Sequence, residues 1–353
     1  MLPQDSSLVT RYSLPATLLH NLALITTFLT FLLLCSGGLV TSKGVGMSVP
    51  DWPTTYGYNM FLFPISRWVG GVFYEHSHRL LASGIGLLTV ILAALTFFLE
   101  KRRFVRNIAI AAVIGVVLQG ILGGLRVTLY KDELGIFHAI LAQSFFGLLV
   151  VFSAVTSRRF YEGKWSGDSL AGSLRWLALV GIVLIYFQLI VAATMRHSHL
   201  GLSIPDFPTA YGHLLPDLST QAVATINQDR LAHGMMPTTT TQISLQMIHR
   251  GGAILLFGIV LLLIIRSYEF FPAKHWVRRW STLWGVLLVC QIILGAWTIW
   301  SNKAADVATT HMALGALTLG GAFLFTFRLF TASQPTEKFT VMERMQGIEE
   351  DNK

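Results

Sequence analysis

Charge is what this sequence has least of. Charged residues fill 12% of the 353 positions, about half the share in an ordinary soluble domain, while 53% are hydrophobic. The shortage argues against the two water-soluble domains that length alone would suggest, and points to lipid as the solvent. Cysteine is nearly missing as well. Cys35 and Cys290 are the only two, both inside apolar runs, so no disulfide framework or Cys-x-x-Cys metal motif is available. Ten-residue segments of alternating polarity, the mark of a lipid-embedded barrel, are absent. The formal net charge of +8 does not read as a nucleic-acid surface, because the basic residues collect in short loops between apolar segments.

What is there is a series of long apolar runs. A hydrocarbon core of ~30 Å needs about 20 apolar residues per helix, and eight stretches qualify, near 19–41, 76–99, 107–126, 136–156, 175–195, 247–266, 280–300 and 309–330. Backbone groups in hydrocarbon must bond within their own segment, so these are helices and the fold class is an all-α membrane protein. The first run spans more than 20 residues without a clear small-residue cleavage site, which reads as a spanning helix and not a leader. The loops 100–107, 157–175 and 266–279 carry Lys101, Arg102, Arg103, Arg106, Arg158, Arg159 and their like, while the longer intervening loops are poor in lysine and arginine. The positive-inside rule then puts both termini in the cytoplasm and the long loops 42–75 and 196–246 on the outer face.

The chain also repeats itself. Gly46-Met-Ser-Val-Pro-Asp-Trp-Pro-Thr-Thr-Tyr-Gly57 returns as Gly201-Leu-Ser-Ile-Pro-Asp-Phe-Pro-Thr-Ala-Tyr-Gly212, with eight of the twelve positions identical at an offset of 155. Farther on, His78-Arg79 is answered by His249-Arg250, Gln119-Gly-Ile-Leu-Gly123 by Gln291-Ile-Ile-Leu-Gly295, and His138 by His311, at offsets of 171 to 173. The second outer loop therefore holds an insertion of about 16 residues. Each half supplies four helices with its ends on one side, which predicts two tandem, pseudo-symmetric four-helix bundles: an N-terminal half over 1–165 and a C-terminal half over 166–353.

The matched histidines all stand at the start of even-numbered spans: His78, His138, His249 and His311. Two parallel helices in one bundle hold their histidines at one depth, where a pair of neutral imidazoles can take a haem iron from both sides. Polar groups at membrane depth are costly and usually functional. A structural zinc site would want four converging ligands with close sequence spacing, whereas these pairs lie 60 and 62 residues apart. Against ligation stands the bland use of an interfacial histidine as an anchor. His20, His76, His197, His199, His213, His233 and His275 have no matched partners and are read as solvated. Arg79 and Arg250 directly follow two of the ligands and suit anionic propionates, with Arg126 a further candidate; a snorkelling arginine is the alternative. Glu75 breaks the symmetry, because Gln246 occupies its place in the second half. A carboxylate one turn from the ligand could accept protons, or could merely favour the helix N-terminus. The Pro-Asp-aromatic-Pro segments could serve as headgroup-level anchors or as lids over the site. Glycines 84, 86, 147, 251, 252 and 315 could make room for a flat macrocycle or serve helix packing.

Tyr74-Glu75-His76-Ser77-His78-Arg79, the doubled Gly-x-Ser-x-Pro-Asp-aromatic-Pro loops and the four spaced histidines together resemble the haem A synthase family over about residues 20–330. The resemblance implies an eight-helix inner-membrane oxidoreductase, with its haem sites near the outer face. Such an enzyme converts the C8 methyl of haem O to the formyl of haem A for cytochrome oxidase assembly. It implies haem b held by His249 and His311 in the C-terminal half. Substrate haem O would be received at His78 and His138 in the N-terminal half, with Glu75 as the catalytic acid residue. Implied partners are membrane lipid, haem O synthase or oxidase assembly factors, and an electron acceptor that the sequence does not identify. Many family members carry a cysteine pair in the first outer loop; 42–75 has none, so activity here cannot rest on a thiol. The competing expectations are a non-enzymatic dihaem b electron carrier and a haem-handling or transport protein.

Overall fold

The computed structural model describes residues 14–198 and 200–335. His199, the two chain ends and the outermost parts of both expected halves lie outside the described residues. Eight helices are long and apolar enough to cross a membrane: α1 (Leu14–Ser42), α2 (Gly70–Leu99), α3 (Arg103–Thr128), α4 (Glu133–Val155), α7 (Arg175–His197), α9 (Thr240–Phe270), α10 (Trp276–Trp300) and α11 (Ala305–Ala332). Two short helices, α5 (Arg158–Tyr161) and α6 (Ser169–Ser173), lie between α4 and α7, and α8 (Thr220–Ala232) sits in the loop before α9. The described residues contain no strand beyond two isolated bridges. The chain is an all-helical, multi-pass integral membrane protein.

The outward faces are those of a protein dissolved in lipid. Leu87, Phe98, Ile254 and Ile293 are exposed along the spans, where burial against water would be required of a soluble bundle. Inside, threonine hydroxyls are satisfied locally. Thr26, Thr30, Thr89, Thr96 and Thr318 each donate to the carbonyl four residues earlier, which removes a free donor from a medium without water.

Helix α1 packs on α2, α4 and α11; α11 packs in turn on α4, α7 and α10; α2–α3 and α9–α10 close the flanks. One apolar core gathers Leu19, Ile85, Leu92, Phe145, Leu149 and Phe152 from the first four helices. The other gathers Ile182, Leu256, Leu263, Trp284, Leu319 and Phe325 from the last four. At the seam, a Cβ on Gly147 of α4 would fall 2.5 Å from the Phe323 ring of α11, and one on Gly320 of α11 would fall 2.8 Å from Phe146 and 3.4 Å from Val150 of α4. Gly147 and Gly320 are equivalent under the 173-residue offset, as are Val150 and Phe323. Small residues here let two helix backbones approach.

The helices that bear the matched histidines begin earlier than the apolar runs suggest. Residues Gly70–Glu75 and Thr240–Gln246 are helical, so His78 and His249 sit in the third turn and not the first. The extension of α9 is held by a capping box, in which the Thr239 hydroxyl accepts from the Gln242 N–H and the Gln242 side chain accepts from the Thr239 N–H.

Candidate functional site

The repeated loop is built around its aspartate. The Asp51 carboxylate accepts from the Thr54 hydroxyl and from the N–H groups of Tyr56 at 2.7 Å and Gly57 at 2.8 Å. Asp206 does the same with Thr209, Tyr211 and Gly212 at 2.7, 2.8 and 3.0 Å. These bonds support a tight turn whose central residues have positive φ: Tyr56 at 50° and Gly57 at 77°, Tyr211 at 55° and Gly212 at 80°. That conformation suits glycine and is uncommon for tyrosine. Each tyrosine hydroxyl donates back to the loop, to the carbonyls of Ser48 and Ser203. Burial acts to raise the Asp51 and Asp206 pKa values, but the three donors together hold both below the ordinary carboxylate value.

Each loop is then fastened over the helix that follows it, α2 or α9. Glu75, 3% exposed, accepts from the Val49 N–H at 3.0 Å and pairs with Arg79 at 2.7 Å. Gln246 accepts from the Ile204 N–H at 2.8 Å and donates to the Ile204 carbonyl at 3.1 Å. Arg79 donates to the carbonyls of Asp51 (2.6 Å), Val49 (2.8 Å) and Thr54 (3.3 Å). Arg250 donates to those of Asp206 (2.6 Å) and Thr209 (2.8 Å) and lies over the Phe207 ring. Both arginines thus brace the loops, an engagement the His-Arg pattern did not reveal. The Nε of Arg250 is buried and has no hydrogen-bond partner among the described residues. The loops cover the helix segments that carry the histidines. Trp52 lies flat on α3, where a Cβ on Gly124 would meet its ring at 2.4 Å; in the second half Ala296 stands in place of that glycine and Phe207 in place of the tryptophan.

All four matched histidines are half-buried, and in each the Nδ1 is buried with no hydrogen-bond partner among the described residues. His78 and His138 lie close enough for their charges to interact, and so do His249 and His311. The glycines that face these rings are not the ones nearest in sequence. A Cβ on Gly123 would fall 3.2 Å from His138, one on Gly295 would fall 3.2 Å from His311, and one on Gly37 would fall 2.9 Å from His78. Gly84 and Gly251, by contrast, have nothing within 4 Å, and Gly147 serves the helix seam. Gln119, in the repeated Gln-x-x-Leu-Gly motif, donates to the His138 carbonyl at 3.0 Å.

The donor set fits a porphyrin iron and not a bare metal ion. Among the described residues no three His, Cys, Asp or Glu side chains converge on one point, whereas a porphyrin brings four nitrogens of its own and asks the protein for one or two axial ligands. Imidazoles with a buried Nδ1 that has no hydrogen-bond partner among the described residues, each pair within electrostatic range and with Gly37, Gly123 and Gly295 beside three of the rings, meet that requirement.

Two histidines read as solvated are interior. His76 is fully buried, bonded through Nδ1 to Thr55 Oγ1 at 3.2 Å and flanked by the rings of Phe63 and Trp68 at 5.1 and 4.6 Å. Its second-half counterpart is Met247, and that of Thr55 is Ala210; both of these belong to an apolar cluster with Ile204, Tyr211 and Ile243. A polar pair in one half thus replaces an apolar pair in the other, a co-substitution visible only once the loop and helix are in contact. His197 is buried at the end of α7 with its ring against Gly135 of α4. The inserted residues of the second loop form α8, whose buried Arg230 donates to the carbonyls of Leu202, Ser203 and Met236.

Residues 60–323 match the COX15-CtaA family, described as cytochrome oxidase assembly protein. Over 305 residues the chain is 25% identical to a heme A synthase from Shouchella clausii, covering 86% of this chain and 90% of that protein. Over 301 residues it is 28% identical to heme A synthases from Bacillus cereus and Bacillus anthracis, covering 82% of this chain and 86% of each.

Proposed function

The chain belongs to the COX15-CtaA family of cytochrome oxidase assembly proteins, and from that premise we propose that it is a haem A synthase, an enzyme that converts the C8 methyl of haem O to the formyl of haem A. A methyl carbon becomes a formyl carbon by net loss of electrons and protons and gain of one oxygen atom. The site therefore needs an outlet for electrons and an acceptor for protons.

The observation that carries the reading is the doubled histidine pair combined with a single carboxylate. In the N-terminal half (1–165), His78 and His138 take the iron of the substrate haem O, and Glu75 stands one turn from His78 on the same helix. In the C-terminal half (166–353), His249 and His311 would hold haem b, which would supply one-electron redox chemistry. There Gln246 replaces the carboxylate and cannot titrate, which suits a half that only passes electrons. Glu75, fixed by Val49 and Arg79, is the group placed to take protons leaving the substrate. The loops anchored by Asp51 and Asp206 act as lids that keep bulk water from both sites, and Arg79 and Arg250 hold those lids down. The two halves are tandem four-helix bundles related by a pseudo-two-fold axis, a reading supported by the reciprocal contacts of Gly147 and Gly320. Lysine and arginine are concentrated in 100–107, 157–175 and 266–279, which favours cytoplasmic termini and haem sites near the outer face of the inner membrane.

Expression with a haem O source, followed by extraction of the pigments, tests the proposal: haem A or hydroxylated haem O is expected, and their absence alongside intact haem b overturns it. The likeness of the two histidine pairs favours one competing reading, a dihaem b electron carrier, which requires unmodified haem in both halves after the same extraction.

A further inference from the structure

Three cations gather near the boundary between the halves, on the side of the molecule where the matched histidines lie. Arg126 closes α3, Arg196 lies in the last turn of α7, and Lys303 sits in the turn between α10 and α11. Among the described residues Asp132 pairs with the group, 3.1 Å from Arg126 Nη2. Arg196 donates to neutral acceptors among the described residues, the Gly38 carbonyl at 2.5 Å and Ser42 Oγ at 2.7 Å, both on α1. Ser42 Oγ in turn accepts from Thr309, two residues before His311. Arg126 Nε is buried with no hydrogen-bond partner among the described residues. Arg126 and the His197 ring both abut Gly135, and Arg126 and Arg196 lie within electrostatic range of each other. Burial and the nearby Arg196 hold the Lys303 ammonium below its ordinary pKa.

Three like charges gathered at membrane depth are unfavourable unless anions balance them, and among the described residues Asp132 offsets one. Their positions say where the anion would sit. Arg126 is within electrostatic range of both His78 and His138, and Arg196 of His311. On α1, Gly37 faces the His78 ring and the next residue, Gly38, faces Met312, the neighbour of His311. Helix α1 thus touches both the His78 ring and the helix that carries His311, and the Arg196 guanidinium is bonded to it at Gly38 and Ser42. Arg79 is committed to three loop carbonyls and Glu75, and Arg250 to two loop carbonyls, so both are engaged by the loops, whereas at the seam Arg126 keeps a buried Nε without a partner among the described residues and Arg196 is bonded to a carbonyl and a hydroxyl.

We propose that Arg126 and Arg196 form a carboxylate-binding bridge between the two histidine pairs, Arg126 taking propionates of a porphyrin at His78 and His138, and Arg196 those of a porphyrin at His249 and His311. The proposal rests on the haem-ligating reading of the four histidines. It also makes the seam more than a packing surface, because the charge of one site is felt through adjoining guanidiniums at the other.

The test compares haem b with its dimethyl ester, which keeps the iron and ring but has no carboxylates. Both are titrated into the purified full-length protein after haem extraction, for the wild type, Arg196→Gln and Arg196→Lys. The wild type should bind haem b tighter than the ester by about tenfold or more. Arg196→Gln should erase most of that preference, and Arg196→Lys should restore part of it. Arg196→Gln should also lower the midpoint potential of bound haem b, because a nearby cation favours the electron. If Arg196 only ties α7 to α1, the Gln variant weakens haem and ester by the same factor and the bridge is refuted. Equal binding of haem and ester by the wild type refutes it without any variant, including the case in which Arg196→Gln does not fold. A wild type that binds neither ligand overturns the haem reading itself, a distinct result.

Discussion

Replacing Glu75 by glutamine separates the chemistry of the carboxylate from its structural duty, because the second half already shows the amide at work. Glu75 now accepts from the Val49 N–H and pairs with Arg79, while Arg79 Nη2 also donates to the Val49 carbonyl at 2.8 Å. Gln246 makes both loop contacts by itself, accepting from the Ile204 N–H and donating to its carbonyl, and Arg250 keeps only two loop carbonyls. In Glu75→Gln the amide oxygen should hold the Val49 N–H and the amide nitrogen should take over the Val49 carbonyl. Arg79 would retain Asp51 and Thr54, the equivalents of the two acceptors of Arg250. One charge-assisted bond is exchanged for a neutral one, about 1 kcal/mol. Glu75→Ala strands a buried guanidinium and the Val49 N–H, about 3–5 kcal/mol. Thermal unfolding of the detergent-purified protein should therefore place the Gln variant near the wild type and the Ala variant well below it. Turnover of haem O should fall by about 10²–10⁴-fold in the Gln variant if the carboxylate is the proton acceptor, with haem b content unchanged. Wild-type turnover in Glu75→Gln would remove Glu75 from the chemistry. Equal destabilisation by Gln and Ala would refute the equivalence of the two loop anchors.

Four further outcomes follow from the geometry. His249→Ala or His311→Ala should abolish the bound haem b spectrum, whereas His78→Ala should leave it and stop conversion. Gly295→Val should displace the His311 ring and lower haem b content, while Gly84→Ala, with nothing within 4 Å of the new methyl, should leave content unchanged and gain up to ~1 kcal/mol of helix stability. His76→Met alone leaves the buried Thr55 hydroxyl unpaired, ~1–3 kcal/mol, and the double change Thr55→Ala with His76→Met should recover part of that loss, as a double-mutant cycle in thermal unfolding would register. Asp51 and Asp206 have lowered pKa values, so their contribution to loop stability is present above the unfolded-state value of about 3.9 and lost as pH falls through the folded values. Limited proteolysis within 46–57 and 201–212 should accelerate below about pH 4, and Asp51→Asn should remove that pH dependence from the first loop.

The eight spans were legible because each is a long apolar run, a signal that needs no tertiary context. Their ends were not. Gly70–Glu75 opens on a glycine pair and Thr240–Gln246 is polar, so both read as loop, and the capping box at Thr239 and the bonds from the loops to Glu75 and Gln246 are what hold them as helix. The family resemblance, read from the Glu-His-Ser-His-Arg run and the doubled loops, agrees with the match over residues 60–323. The burial of His76 and His197 was hidden, because a histidine without a repeat partner gives no pattern; its burial depends on Thr55, Phe63 and Gly135, which come from other elements. The glycines beside the rings were missed for a related reason. Proximity in sequence pointed to Gly84 and Gly251, but a helix presents its rings to the neighbouring helix, so the residues that must be small are Gly37, Gly123 and Gly295.

The differences between the halves bear more on function than their likeness. The repeated aspartate turns, the loop-bracing arginines and the glycines before each second histidine are common to both, and they describe a scaffold that clears room beside paired imidazoles. Where the halves diverge, the first half's residues are in contact with one another: Glu75, for Gln246, beside Arg79; Thr55 with His76, for Ala210 and Met247; and Trp52 on Gly124, for Phe207 and Ala296. The first half is the more polar around its loop. The second is tied down by an added helix, with Arg230 gripping Leu202 and Ser203 and the Trp300 indole donating to Phe207. A site that must admit and release its porphyrin has use for titratable groups and a loop held by exchangeable polar bonds. A site that keeps its porphyrin has use for apolar packing and an extra clamp. The two sets of substitutions support the proposed assignment of the exchanging site to the first half and the resident site to the second.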